Sequence, residues 1–195
     1  MDKGRVQAFS DCVLSIIITI MVLELRAPEK GALFALLPLL PKFGSYVLSF
    51  IFLGIYWNNH HHLWQAVEKV NGSVLWANLH LLFWLSLVPF ATSWMGQNNF
   101  ATIPVALYGV ILCLTALAYY IMVRVLMAYH DDHSLLADAL GTGRKERVSL
   151  LMYGSAIPLA FLQPWVAMAL YVTVAIMWLI PDRRIEEKIE EEEHA

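Results

Sequence analysis

The side chains of this 195-residue chain that can do chemistry are the ionisable and polar groups set beside or within apolar runs. Arg5 and Asp11 stand just before the apolar stretch that starts at Cys12. A charge at that depth faces protein or water, because moving it into hydrocarbon is costly. Six residues subtend about 600° of helical turn, so Arg5 and Asp11 point to different sides and each needs a partner on another segment. Trp57, Asn58, Asn59, His60, His61, His62, Asn78 and His80 are the candidates, and a hydrogen-bonded network joining them to the first helix is the economical arrangement. Three consecutive histidines suggest a metal, but neighbours about 100° apart on a helix do not converge on one ion as an i,i+4 pair does. The expectation is therefore no metal site. Histidine titrates near neutrality, which leaves a pH-sensing role open.

Further along, Ile16, Thr19 and Leu23 share one helical face. Such a stripe reads either as helix packing or as the lining of a narrow pore that selects by dehydration, and spacing does not separate the two. Glu24 follows near the far end of the same helix. It either draws cations to a pore mouth or pairs with Arg26 or Lys42. Cys12 and Cys113 lie in apolar surroundings and read as small packing residues.

The elements that position these residues follow from composition. The chain is 59% hydrophobic and only 15% charged, with net charge −3, against roughly 45 to 50% and 25% for soluble domains. A soluble globule, a disordered chain and a nucleic-acid-binding domain are all excluded; the lipid bilayer is the expected partner. At about 20 residues per span, the pattern predicts an all-α integral membrane unit over 1–181, with six helices at about 4–26, 42–66, 73–96, 102–128, 145–162 and 164–181. An acidic cytoplasmic tail follows over 182–195, where isoleucines at 185 and 189 suggest a helical extension. With both termini cytoplasmic, ten of the 13 Lys and Arg residues fall inside and only Arg26, Lys30 and Lys42 outside, as the positive-inside rule requires. The segment Pro28–Pro41 is too apolar for a free loop and too short for a span, which predicts an interfacial or pore-mouth segment. Trp57, Trp64, Trp94, Trp165 and Trp178 fall near span ends and read as interfacial anchors.

The run Arg5-Val6-Gln7-Ala8-Phe9-Ser10-Asp11 matches RxxxFSD, and with the Ser15–Leu23 continuation, the Trp57–His62 block and Asn78-Leu79-His80 ahead of Pro89 it resembles the transmembrane protein 175 family of potassium channels. That resemblance implies a homotetramer, this chain with three identical subunits, whose pore is lined by four first helices and passes monovalent cations, potassium above sodium. It places the constriction at Ile16 with Thr19 and Leu23 beyond it. It makes Arg5, Phe9, Ser10 and Asp11 an anchor to the second and third helices, with Trp57, His61, Asn78 and His80 as partners. The chain has no TVGYG filter and no Arg-rich sensor helix, so selection by a hydrophobic ring is the implied mechanism. The reading is a cell-membrane channel rather than an enzyme, with no cofactor beyond the permeant ion. The alternative is a proton-coupled transporter using Asp11, His60–His62 and His80.

Overall fold

The computed structural model of the chain describes residues 2–29, 31–67, 69–129 and 143–179. The expected acidic tail at 182–195 lies outside the described residues, as does Lys30. Among the described residues every regular element is helical. Helix α1, Lys3–Leu23, starts where the Asp2 carboxylate accepts the Gly4 N–H at 2.9 Å, satisfying one of the donors a helix start leaves open. A 3-10 helix, Leu33–Leu39, leads directly into α2, Leu40–Ala66, whose first turn carries Pro41 at a position that has no N–H to satisfy. Leu33, Phe34 and Leu37 of the 3-10 helix are exposed.

Helix α3 spans Gly72–Ser86, capped by Asn71, and α4 spans Val88–Gln97. Hydropathy reads one span at 73–96; the structure divides it at Leu87. Pro89 has no N–H to return to the Leu85 carbonyl, and its ring crowds that carbonyl. Asn99 and Phe100, at φ 50° and 58°, then turn the chain in the left-handed region, and the Phe100 N–H closes the turn on the Met95 carbonyl at 3.0 Å. Helix α5 is Thr102–Tyr129, α6 is Arg144–Leu162 and α7 is Pro164–Leu179. The last two form a hairpin about an extended Gln163.

Four helical stretches, Lys3–Leu23, Leu33–Ala66, Gly72–Gln97 and Thr102–Tyr129, are long and apolar enough to cross a membrane. The chain is a multi-pass membrane protein. Helix α6 opens on Arg144-Lys145-Glu146-Arg147, and α7 is described as far as Leu179.

The core is built around α5, which packs on α3, α4, α6 and α7. Two glycines permit the tightest crossings. A Cβ on Gly109 would overlap the Tyr171 hydroxyl, which donates to the Val105 carbonyl at 3.1 Å. A Cβ on Gly96 would overlap Ser45 Oγ and stand 2.8 Å from Lys42 Cα, so α2 and α4 touch backbone to backbone there. Helix α1 sits at the rim of this core and packs on α2, α3 and α4 by one face alone.

Candidate pore helix and its anchor

Packing divides α1 lengthwise. Val6, Ser10, Leu14, Ile17 and Met21 are buried. At 100° per residue, Arg5, Phe9, Cys12, Ile16, Thr19 and Leu23 fall within about 40° of one line, and all six are exposed in the single chain. Ile16 is 51% and Leu23 73% accessible in the single chain. The hydroxyls at its middle have their protons committed. Ser15 donates to the Asp11 carbonyl at 2.7 Å, and Thr19 Oγ1 lies 2.9 Å and 3.0 Å from the Ser15 and Ile16 carbonyls. Both oxygens therefore keep lone pairs for whatever occupies the open side.

The buried face is tied down by one chain of hydrogen bonds. Ser10, fully buried, donates to the Val6 carbonyl at 2.9 Å and accepts Asn78 Nδ2 at 2.9 Å. Asn78 Oδ1 lies 2.9 Å from His60 Nε2, which also receives the Trp64 indole N–H at 2.8 Å. Nε2 cannot both accept from Trp64 and donate to an amide oxygen, so at any moment it makes one of these two contacts as a full hydrogen bond, accepting from Trp64 or donating to the Asn78 oxygen. His60 Nδ1 is sealed from solvent without a partner. A second tie lies toward the surface: Trp57 donates to Asp11 Oδ1 at 3.1 Å and stacks on His61, whose ring nitrogens meet the amides of Gln7 at 3.0 Å and Gln65 at 3.1 Å.

The expected residues are thus brought together only in part. Ser10, Asp11, Trp57, Asn78 and His61 lie in these ties, but Arg5 and Phe9 stand on the open stripe, about 140° and 100° from Ser10 around the helix. His80 is on the exposed side of α3, bonded to Trp84 of its own helix at 2.9 Å. The central histidine is His60, with Trp64 as a partner beside Asn78, and Gln7 joins the second tie through His61; the sequence gives no signal for either Trp64 or Gln7 in these roles. Trp64 is fully buried rather than an interfacial anchor. Cys12 lies on the open stripe, not in packing. Glu24 takes neither Arg26 nor Lys42; it accepts Ser93 Oγ at 2.7 Å, and Ser93 accepts Gln97 Nε2 at 2.7 Å. A groove of about 740 Å³ runs from there between α1 and α4 beside Ile16 and Ile20. Among the described residues no group of three His, Cys, Asp or Glu side chains converges on a metal-sized point.

Known proteins resemble this arrangement. The family described as the endosomal/lysosomal potassium channel TMEM175 matches residues 5–89, the segment from Arg5 to Pro89 that carries the stripe and both ties. A potassium channel of a Chryseobacterium species is 53% identical over 191 residues, covering 98% of this chain and all of that protein. The mouse endosomal/lysosomal proton channel TMEM175 is 28% identical over 139 residues, which make up 69% of this chain but 28% of that longer protein. The crystal structure of a lysosomal potassium-selective channel TMEM175 homolog from Chamaesiphon minutus superposes with a TM-score of 0.81 at 26% identity, covering 91% of this chain and 96% of that one.

Proposed function

Because the chain belongs to the TMEM175 family of potassium channels, we propose that it forms a potassium-permeable cation channel whose pore is lined by the open stripe of α1. It is a channel, not an enzyme. The observation that carries the pore assignment is the stripe itself: a helix pinned on one face by Ser10, Asn78 and His60 and uncovered on the other from Arg5 to Leu23. One subunit cannot enclose a water path with a single helix face. Four copies around an axis, this chain with three identical subunits, would bring four α1 stripes together. The unit we propose has six membrane helices, counting α3 and α4 as one broken span and including α6 and α7. It lies in the cell membrane with both termini cytoplasmic, in keeping with ten of the 13 Lys and Arg residues on that side.

In this arrangement four Ile16 side chains form the constriction, and Thr19 and Leu23 line the path beyond it. An apolar ring selects by the cost of shedding water, which is lower for potassium than for the smaller, more tightly hydrated sodium ion. The Thr19 lone pairs offer partial compensation one turn away. Glu24, held by Ser93, raises cation concentration at the outer mouth.

Reversal potentials in reconstituted vesicles under paired potassium and sodium gradients test this reading. Ile16→Ser should raise conductance and reduce potassium preference by several-fold; unchanged conductance and preference would remove Ile16 from the constriction. Thr19→Val keeps the branched shape and deletes the oxygen, so a loss of selectivity with the constriction width kept would assign the hydroxyl a share. Proton-coupled transport through Asp11, His60–His62 and His80 is not favoured, since His60 is sealed within the anchor and His80 lies apart from it.

A further inference from the structure

Arg5 opens the RxxxFSD run, yet the anchor leaves it out. Ser10 and Asp11 have partners on α3 and α2, whereas among the described residues no hydrogen bond or ion pair engages the Arg5 guanidinium. Its side chain is exposed and stands about 20° from Ile16 around α1, so this charge and the proposed constriction share one line. Lys3, on the same first turn, points about 160° away from Arg5 and donates to the Gln65 carbonyl at 3.4 Å.

The carboxylates toward this end of α1, α2 and α3 leave the Arg5 charge standing on the stripe. Asp2 accepts the Gly4 N–H at 2.9 Å as the helix cap, and its charge offsets that of Lys3 in sum. Asp11 lies about 9 Å further along α1 and about 120° around it, behind the stripe, where it receives the Trp57 indole N–H at 3.1 Å. A guanidinium keeps its proton at every ordinary pH. Four α1 stripes around an axis therefore carry four fixed positive charges at one end of the path, opposite Glu24. Cation pores ordinarily carry acidic rings, and this ring has the other sign.

We propose that Arg5 sets the valence preference of the pore: four copies form a cationic ring at the cytoplasmic mouth that lets potassium through and keeps magnesium and polyamines from plugging the constriction at Ile16. The physical basis is that a potential thins a divalent ion by the square of the factor for a monovalent one. A ring potential of about one kT, at the low end for clustered charge, thins potassium about threefold and magnesium about sevenfold. Potassium and sodium are thinned equally, so choice between them stays with Ile16. The ring rests on the reading of α1 as the pore helix.

Inside-out patches carrying the full chain test it, with magnesium chloride applied to the cytoplasmic face during potassium current. Arg5→Gln should lower the half-blocking magnesium concentration by about sevenfold, the depletion that a ring of one kT imposes, and leave potassium over sodium preference unchanged. Arg5→Lys keeps the charge and should behave as the parent. If Arg5→Gln gives no current, Arg5→His replaces it: raising the cytoplasmic pH from about 5.5 to about 8 discharges the imidazole and should increase magnesium sensitivity several-fold beyond any change in the parent. Sensitivity that Arg5→Gln or discharged Arg5→His leaves unchanged, or that Arg5→Lys raises as much as Arg5→Gln does, would overturn the ring, while a reduced potassium preference in Ile16→Ser, recorded in the same way, still supports the pore. No effect of Ile16→Ser on conductance or preference would remove the stripe from the axis and the ring with it.

Discussion

At the residue scale, Asn78 is the joint of the anchor, because its amide serves Ser10 of α1 and His60 of α2 together. Asn78→Leu takes one contact each from Ser10, which keeps the Val6 carbonyl, and from His60, which keeps the Trp64 N–H, at about 0.5–1.5 kcal/mol per lost hydrogen bond. The expected outcome is a clear loss of stability in denaturant unfolding in detergent; parent-like stability would mean that water replaces the amide. Ser10→Ala should cost less, since it removes only the acceptor of the Asn78 N–H and keeps the Asn78–His60 contact. Which histidine joins this network was not legible in the sequence. His60 and His61 differ by one residue, or about 100° on the helix, and only the rotation of α2 against α3 decides which ring is sealed and which meets Gln7 near the surface. The same rotation buries Trp64 and leaves Trp57 half exposed.

At the element scale, close approach of helices rests on absent side chains. Gly96→Ala sets a methyl group into Ser45 and the Lys42 backbone, and overpacking of this kind costs about 1–3 kcal/mol; the unfolding midpoint should fall. Gly154→Ala, with nothing within 4 Å of the new methyl, should be neutral or slightly stabilising on helix propensity alone. Neither contrast can be read from two glycines in apolar runs. The break between α3 and α4 is a different case. Pro89 is visible in the sequence, but averaging hydropathy over a span-length window erases a one-residue interruption, and the chemistry of proline marks it.

At the scale of the whole molecule, the division of α1 into a pinned face and an open stripe also places Cys12 on the proposed pore wall, one turn from Ile16. A positively charged thiol reagent added during potassium flux should reduce the current of the parent protein and leave Cys12→Ser unaffected. Cys113 sits partly buried in α5 among the scaffold helices, so Cys113→Ser should respond as the parent does. Block that follows Cys113 instead would place the water path among α5, α6 and α7 and displace α1 from the axis.

The sequence by itself determined the solvent, the helical class and the helix that carries the chemistry. Those follow from composition, from run length against bilayer thickness and from Arg5 to Asp11 beside an apolar segment, all of them local properties. The tertiary structure alone decided that Ser10 turns inward and Asp11 meets Trp57 near the surface while Arg5 and Phe9 face out, that His60 rather than His80 completes the anchor, and that Glu24 reaches Ser93. Each of these depends on the rotation of one helix about its axis relative to its neighbours. Side-chain shapes on other helices set that angle, and periodicity within one helix carries no record of it.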